Sequence, residues 1–141
     1  MNYIAGFAAV NDYSERSWQL ESPGQWTKGK SADSFCPLGP WLVTAAAVGN
    51  AQNLNIWLTV NGVKMQESNT SDMVFKIPFL VSFLSRHMTL LPGDVIATGT
   101  PSGVGLGHNT MIYSPRNKAE LEVTRKILEA AVKYATLTLG H

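Results

Sequence analysis

The sequence predicts a β-rich α+β fold, and three patterns carry that expectation. Asn53 to Val60 places Leu54, Ile56, Leu58 and Val60 at alternate positions, the period of a strand with one apolar face. Asn61-Gly62 follows, the strongest short hairpin signal there is, so Val63 to Gln66 is expected to return beside it. Lys76 to His87 instead sets apolar residues at 77, 80, 81 and 84, a helical period, with Pro78 tolerated in the first turn.

The remaining elements follow in order. Met1 to Val10 is apolar and rich in Ala, Gly and aromatics, which suits a strand packed against other backbone. Glu21 to Lys30 carries the turn pair Pro23-Gly24 and reads as a loop flanking the segment before it. Pro37, Gly39 and Pro40 bar a helix from Phe35 to Thr44, so Leu38 and Trp41 to Val43 are expected as buried extended chain. Leu91-Pro92-Gly93-Asp94 makes a turn and Val95 to Ala97 a short buried strand; Thr98 to Gly107 is then a glycine-rich loop whose backbone should approach something closely. Pro115 to Ala135 reads as an amphipathic helix, with Leu121, Leu128, Val132 and Ala135 on one stripe.

Composition narrows the function classes. A chain of 141 residues suits one modest core, and a net charge of +1 with 15% charged residues and no basic cluster speaks against a nucleic-acid surface. The longest apolar runs, around Trp41 to Val48 and Phe79 to Leu84, are too short to span a bilayer, and no signal-peptide pattern opens the sequence, so a soluble, cytoplasmic protein is expected. The single cysteine, Cys36, excludes an internal disulfide or a multi-cysteine metal site. In its apolar setting Cys36 is expected as a buried structural thiol rather than a nucleophile.

Chemistry concentrates between Asn11 and Ser31. Asp12, Arg16 and Gln19 stand at i, i+4 and i+7, which on a helix would line one face with a carboxylate, a guanidinium fork and a carboxamide. The fork suits a planar carboxylate, and Lys30 would add a point charge to the same anion. The alternative is structural: Asp12 caps a short helix, and Arg16 pairs with Glu15 or Glu21 on its surface. Both readings stand on spacing alone. The glycine loop, Gly103-Val104-Gly105-Leu106-Gly107, does not match the dinucleotide fingerprint and no helix start follows it, so a nucleotide site is not expected.

Taken with that loop, the wording of the sequence resembles the fumarylacetoacetate hydrolase family, especially its bacterial-type acylpyruvate or diketo-acid hydrolases and ureidoglycolate lyases. The resemblance runs in register from about Ile4 to Gly107 and rests on Val10-Asn11-Asp12, Ser14-Glu15-Arg16, Trp18-Gln19-Leu20-Glu21, Lys28-Gly29-Lys30-Ser31, Phe35 to Thr44, Val60-Asn61-Gly62, Asn69-Thr70, Leu91 to Ile96 and Thr98 to Gly105. It implies a mixed β-sandwich roll around a metal-centred pocket that holds Mg²⁺ or Mn²⁺, a small 2-keto or 2,4-diketo acid as substrate, cleavage of a carbon–carbon bond, and a homodimer. By the same resemblance Asp12 falls on a metal ligand, and Arg16, Gln19 and Lys30 fall on groups that hold the keto-acid end or an oxyanion. Gly99 and Thr100 fall on a position for the substrate carboxylate, and Asn69 and Thr70 on the rim.

Two departures mark the ends. Family members carry a Glu-x-Glu pair of metal ligands upstream of the segment that begins here. After Gly107 the family text gives way to the amphipathic stretch. The expected division is therefore a partial catalytic domain over residues 1–107 and a non-family tail over 108–141, with the roll incomplete and a helix added. The alternative to an enzyme is a truncated, inactive relative or a small-acid-binding fragment.

Overall fold

A computed structural model describes residues 2–21, 23–60, 63–105 and 136–139. Among them a four-stranded sheet runs β2-β1-β6-β5, built from β1 (Ile4–Phe7), β2 (Val43–Thr44), β5 (Val95–Ala97) and β6 (Thr136–Leu139). All its pairings are antiparallel. A separate antiparallel hairpin joins β3 (Asn55–Val60) to β4 (Val63–Asn69). The turn residues Asn61-Gly62 lie outside the described residues, but Val60 pairs with Val63 across them, as a two-residue hairpin requires. The helix expected over residues 115–135 also lies outside the described residues. The four residues after it form β6, an element that periodicity did not suggest.

Helix α3 (Ile77–Ser85) falls inside the expected window, with Pro in its first turn where a missing N–H costs nothing. Ile77 has no exposed surface and packs with Ile4, Phe7 and Ala51 to form the core. Val81, Met73, Leu54, Val48 and Ile96 surround it. The loop before β3 is tied to this core by side chains: Gln52 Oε1 accepts from Ile77 N at 2.6 Å, and Gln52 Nε2 donates to Thr70 O at 3.2 Å. The buried Thr70 hydroxyl donates to Ala51 O at 2.9 Å and accepts from Leu54 N at 2.8 Å, so its hydrogen-bonding capacity goes into holding that loop.

Several expectations about burial are corrected. Leu38 and Trp41 to Val43 are extended or in β2, yet Leu38, Trp41 and Leu42 are exposed, Trp41 at 72%. Val95 in β5 is also exposed, because a strand this short packs only Ile96 inward. Cys36 is exposed rather than buried. Ser34 and Cys36 both take positive φ, 67° and 58°, and that reversal carries the thiol outward despite its apolar neighbours. Two short helices are also present: α1 (Arg16–Leu20), within the stretch where a short helix was expected, and α2 (Ala45–Val48), which was not expected and is capped by Thr44 Oγ1, which accepts from Ala47 N.

After β4 a 3₁₀ turn over Thr70–Asp72 is closed by a capping box in which Asn69 and Asp72 exchange side-chain and backbone bonds. Hydrogen bonds from Ser68 Oγ at 2.6 Å and from Asn69 N at 3.2 Å hold the Asp72 carboxyl below the usual carboxylate range. A depressed folded value adds stability above the ordinary range and loses it as pH falls through that value. Ser68→Ala should therefore move the Asp72 titration upward, read directly from its carboxyl carbon by NMR. An unmoved titration would show that the Ser68 hydroxyl does not set it.

Candidate functional site

The segment that holds the candidate residues begins where β1 ends. Gly39 N donates to Ala9 O at 2.8 Å and Asn11 N donates to Pro37 O at 3.2 Å, so residues 9–11 are fastened to 37–39 before the chain reaches Asp12. Glu15, not Asp12, caps α1: its backbone is extended, and its carboxylate accepts from Ser17 N at 3.1 Å and Ser17 Oγ at 2.6 Å. The helix therefore starts at Arg16, and Asp12 lies in the loop before it. A single helical face bearing Asp12, Arg16 and Gln19 does not form, and neither does the expected pairing of Arg16 with Glu15 or Glu21. Arg16 Nη1 donates instead to Gln19 Oε1, one turn on.

A second turn is pressed against this helix. Glu15 N donates to Gly29 O at 2.8 Å, and a 3₁₀ turn over Lys28–Lys30 stacks on α1. Residue 29 must be glycine for this packing, since a Cβ there would stand 2.6 Å from Gln19 Cβ and 2.9 Å from Glu15 O. That close approach delivers Lys30 to Asp12, with Nζ 2.6 Å from Oδ2. Lys30 and Asp12 thus neutralise each other; with both side chains partly in water, the pair adds little stability.

Gln19 is only 2% exposed, and its Nε2 is buried with no hydrogen-bond partner among the described residues. An unused buried amide donor costs about 1–3 kcal/mol, so it calls for an acceptor. It shares its carboxamide with the Arg16 guanidinium, so the pair presents donors in excess of acceptors.

The other expected residues lie elsewhere. Asn69, Gly99 and Thr100 line a cleft of about 270 Å³ with Ile56, Thr98, Phe75 and Pro101; Asp12, Arg16, Gln19 and Lys30 are not in its wall. Asn69 is occupied structurally, its Oδ1 accepting from Ser71 N at 2.8 Å and its Nδ2 donating to Asn55 Oδ1 at 2.9 Å. A residue that sequence reasoning missed organises this cleft. Gln66 is buried, and its Nε2 donates to Thr100 Oγ1 at 2.9 Å and to Pro101 O at 2.7 Å.

The donor set does not make a divalent-metal site by itself. Mg²⁺ and Mn²⁺ favour oxygen ligands, carboxylates foremost. Among the described residues no three His, Cys, Asp or Glu side chains gather as ligands, and Asp12 is engaged by an ammonium. Among the described residues, no helix is long and apolar enough to cross a membrane.

The described residues form an α+β arrangement of mixed strands and helices with Gly99 and Thr100 in the wall of a cleft, and comparison with known proteins gives its family. Residues 1–133 match the fumarylacetoacetate (FAA) hydrolase C-terminal family, and the chain belongs to that family. A Burkholderia multivorans protein whose name places it among hydrolases is 55% identical over 107 residues, covering 76% of this chain and 38% of its own length. The chain thus spans well under half the length of the curated relatives it matches. Maleylpyruvate hydrolase from Sphingobium sp. SYK-6 superposes with a TM-score of 0.63 at 42% identity, over 72% of this chain and 35% of that one. A 5-carboxymethyl-2-hydroxymuconate delta-isomerase from Mycobacterium smegmatis gives 0.66 at 46% identity, over 72% and 39%.

Proposed function

We propose that the chain serves the hydrolysis of a small 2-keto or 2,4-diketo acid of the acylpyruvate class. Water adds to the distal acyl carbon and the bond to the neighbouring methylene carbon breaks. The electron pair stays on the pyruvate fragment as its enolate, a proton returns to that carbon, and a carboxylic acid and pyruvate leave. Lys30, Arg16 and Gln19 supply the positive charge and the donors that such an enolate or oxyanion needs, where fixed donors act most strongly. The keto oxygen or the oxyanion would lie on Arg16, Gln19 and Lys30, and the substrate carboxylate on Gly99 and Thr100, with Asn69 at the rim. The observation that carries this reading is the buried Gln19 amide, held by Arg16 and left without an acceptor of its own. A homodimer belongs to the same reading, as does a role for Asp12 as one oxygen ligand of Mg²⁺ or Mn²⁺.

A second reading has its own observation. With no three-ligand cluster among the described residues, the chain would be a catalytically inactive family relative that binds small acids. Pyruvate release from an acylpyruvate, measured on the purified chain with Mg²⁺ or Mn²⁺ present, separates the two. Turnover that falls by about 10²-fold in Lys30→Met supports the enzyme. Turnover that Lys30→Met leaves unchanged removes Lys30 from the chemistry. No turnover, combined with saturable pyruvate binding that Gln19→Leu abolishes, supports the binder.

A further inference from the structure

We propose that Gln66 is the positioning residue of the carboxylate-binding loop, holding Thr100 to Ser102 in the shape that receives the substrate's acid group. The inference rests on the keto-acid reading of Gly99 and Thr100 given above. Gln66 lies on β4, 7% exposed, opposite Leu58. Its Nε2 faces three oxygens of one loop: Thr100 Oγ1 at 2.9 Å, Pro101 O at 2.7 Å and Ser102 O at 3.4 Å. Two of those are backbone carbonyls, which only accept, so the group facing them must be a donor. Immediately beyond, Gly103 lies flat on the Met65 backbone. The loop is therefore seated at both ends of one short stretch of β4, by a side-chain amide and by a backbone contact.

Gln66 is not in the wall of the cleft, whereas Thr100 and Pro101 are. Its effect on a ligand passes through them. Donation to Thr100 Oγ1 sets the rotor of that hydroxyl, turning its proton away from Gln66. Donation to Pro101 O fixes the peptide that follows. A carboxylate held by this loop needs both settings, because hydrogen bonds to charged groups weaken steeply once misaligned.

The test is pyruvate binding to the full chain by calorimetry, with Gln66→Glu and Gln66→Leu beside the unsubstituted protein. Glutamate keeps the shape but turns an acceptor with negative charge toward the Pro101 and Ser102 carbonyls; once protonated, it regains one donor. At about pH 8 both variants should bind pyruvate at least about tenfold more weakly. Toward about pH 5 the glutamate variant should recover part of that loss while the leucine variant recovers none. Equal losses with no recovery would mean that restoring a donor does not restore the loop, and that result, like unchanged affinity in both variants, would overturn the inference. Gln66→Asn, which keeps the donor but draws it back, replaces the leucine variant if that one does not fold. Weaker binding with an unchanged thermal melt then supports the role, and full binding overturns it. Failure of the unsubstituted chain to bind pyruvate is a distinct result, which removes the keto-acid reading and this inference together.

Discussion

Gly103→Ala should destabilise the protein by about 2–5 kcal/mol, more than the same methyl added at Gly99, which has open space around it. Two costs coincide at this position. Its φ of +100° lies where L side chains rarely go, and a Cβ would overlap the Met65 carbonyl oxygen, which belongs to paired strand and cannot withdraw cheaply. Gly93 separates the two costs. It has a similar φ of +94°, but nothing lies within 4 Å of a Cβ built there, so Gly93→Ala meets only the conformational cost of about 1–3 kcal/mol. Denaturant midpoints of the two variants, compared at unchanged slope, read the difference. Equal midpoints would mean that the loop is not seated on β4.

Ile77→Ala should cost about 2–5 kcal/mol, because deleting a fully buried side chain loses its transfer energy and leaves a cavity. The site has little room to collapse. Ile77 stands at the first turn of α3 with its backbone N–H donated to Gln52, and it packs in the core with the buried Ile4, Phe7 and Ala51. On the same helix Phe79 is 46% exposed and stacks between Phe75 and Phe83, with ring centroids at 4.9 and 6.0 Å. Phe79→Ala should lose much less. If thermal or chemical unfolding ranks the two variants the other way, the core lies elsewhere than under the start of α3.

The strands and the long helix were legible because their patterns repeat over many residues. Leu54 to Val60 shows period two, Ile77 to Leu84 shows a helical period, and both segments appear within a residue or two of where the pattern places them. The site was legible as a set of residues but not as an arrangement. Asp12, Arg16 and Gln19 fit a helix face only if the helix includes residue 12, and the extended backbone of Glu15, stabilised by Ser17, starts it four residues later. The Asp12–Lys30 pair depends on a turn pressing glycine against Gln19, a tertiary contact that no local period encodes.

Gln66 was hidden by one extra residue. Counting back from the two-residue turn would set Met65 opposite Leu58 and leave Gln66 facing away. The register instead shifts between Leu58 and Thr59, so that Thr59 pairs with Lys64 and Leu58 pairs with Gln66. Such a bulge turns a polar side chain from one face of a hairpin to the other, and composition leaves no mark of it. Cys36 failed for a related reason, since positive φ at Ser34 and Cys36 reverses the direction that apolar neighbours suggest.

β6 lies between β1 and β5, pairing Ile4 with Leu139 and Ile96 with Leu137. The pairing of Ile4 with Leu139 therefore closes a far longer loop than the β3–β4 hairpin does. Among the described residues, the other neighbour of β1 is β2, two residues long. Closing so long a loop must precede any reward from the central pairing, which makes sheet completion a late and slow event in folding. Before that closure, the edge of β1 that β6 covers is open to any strand that meets it first.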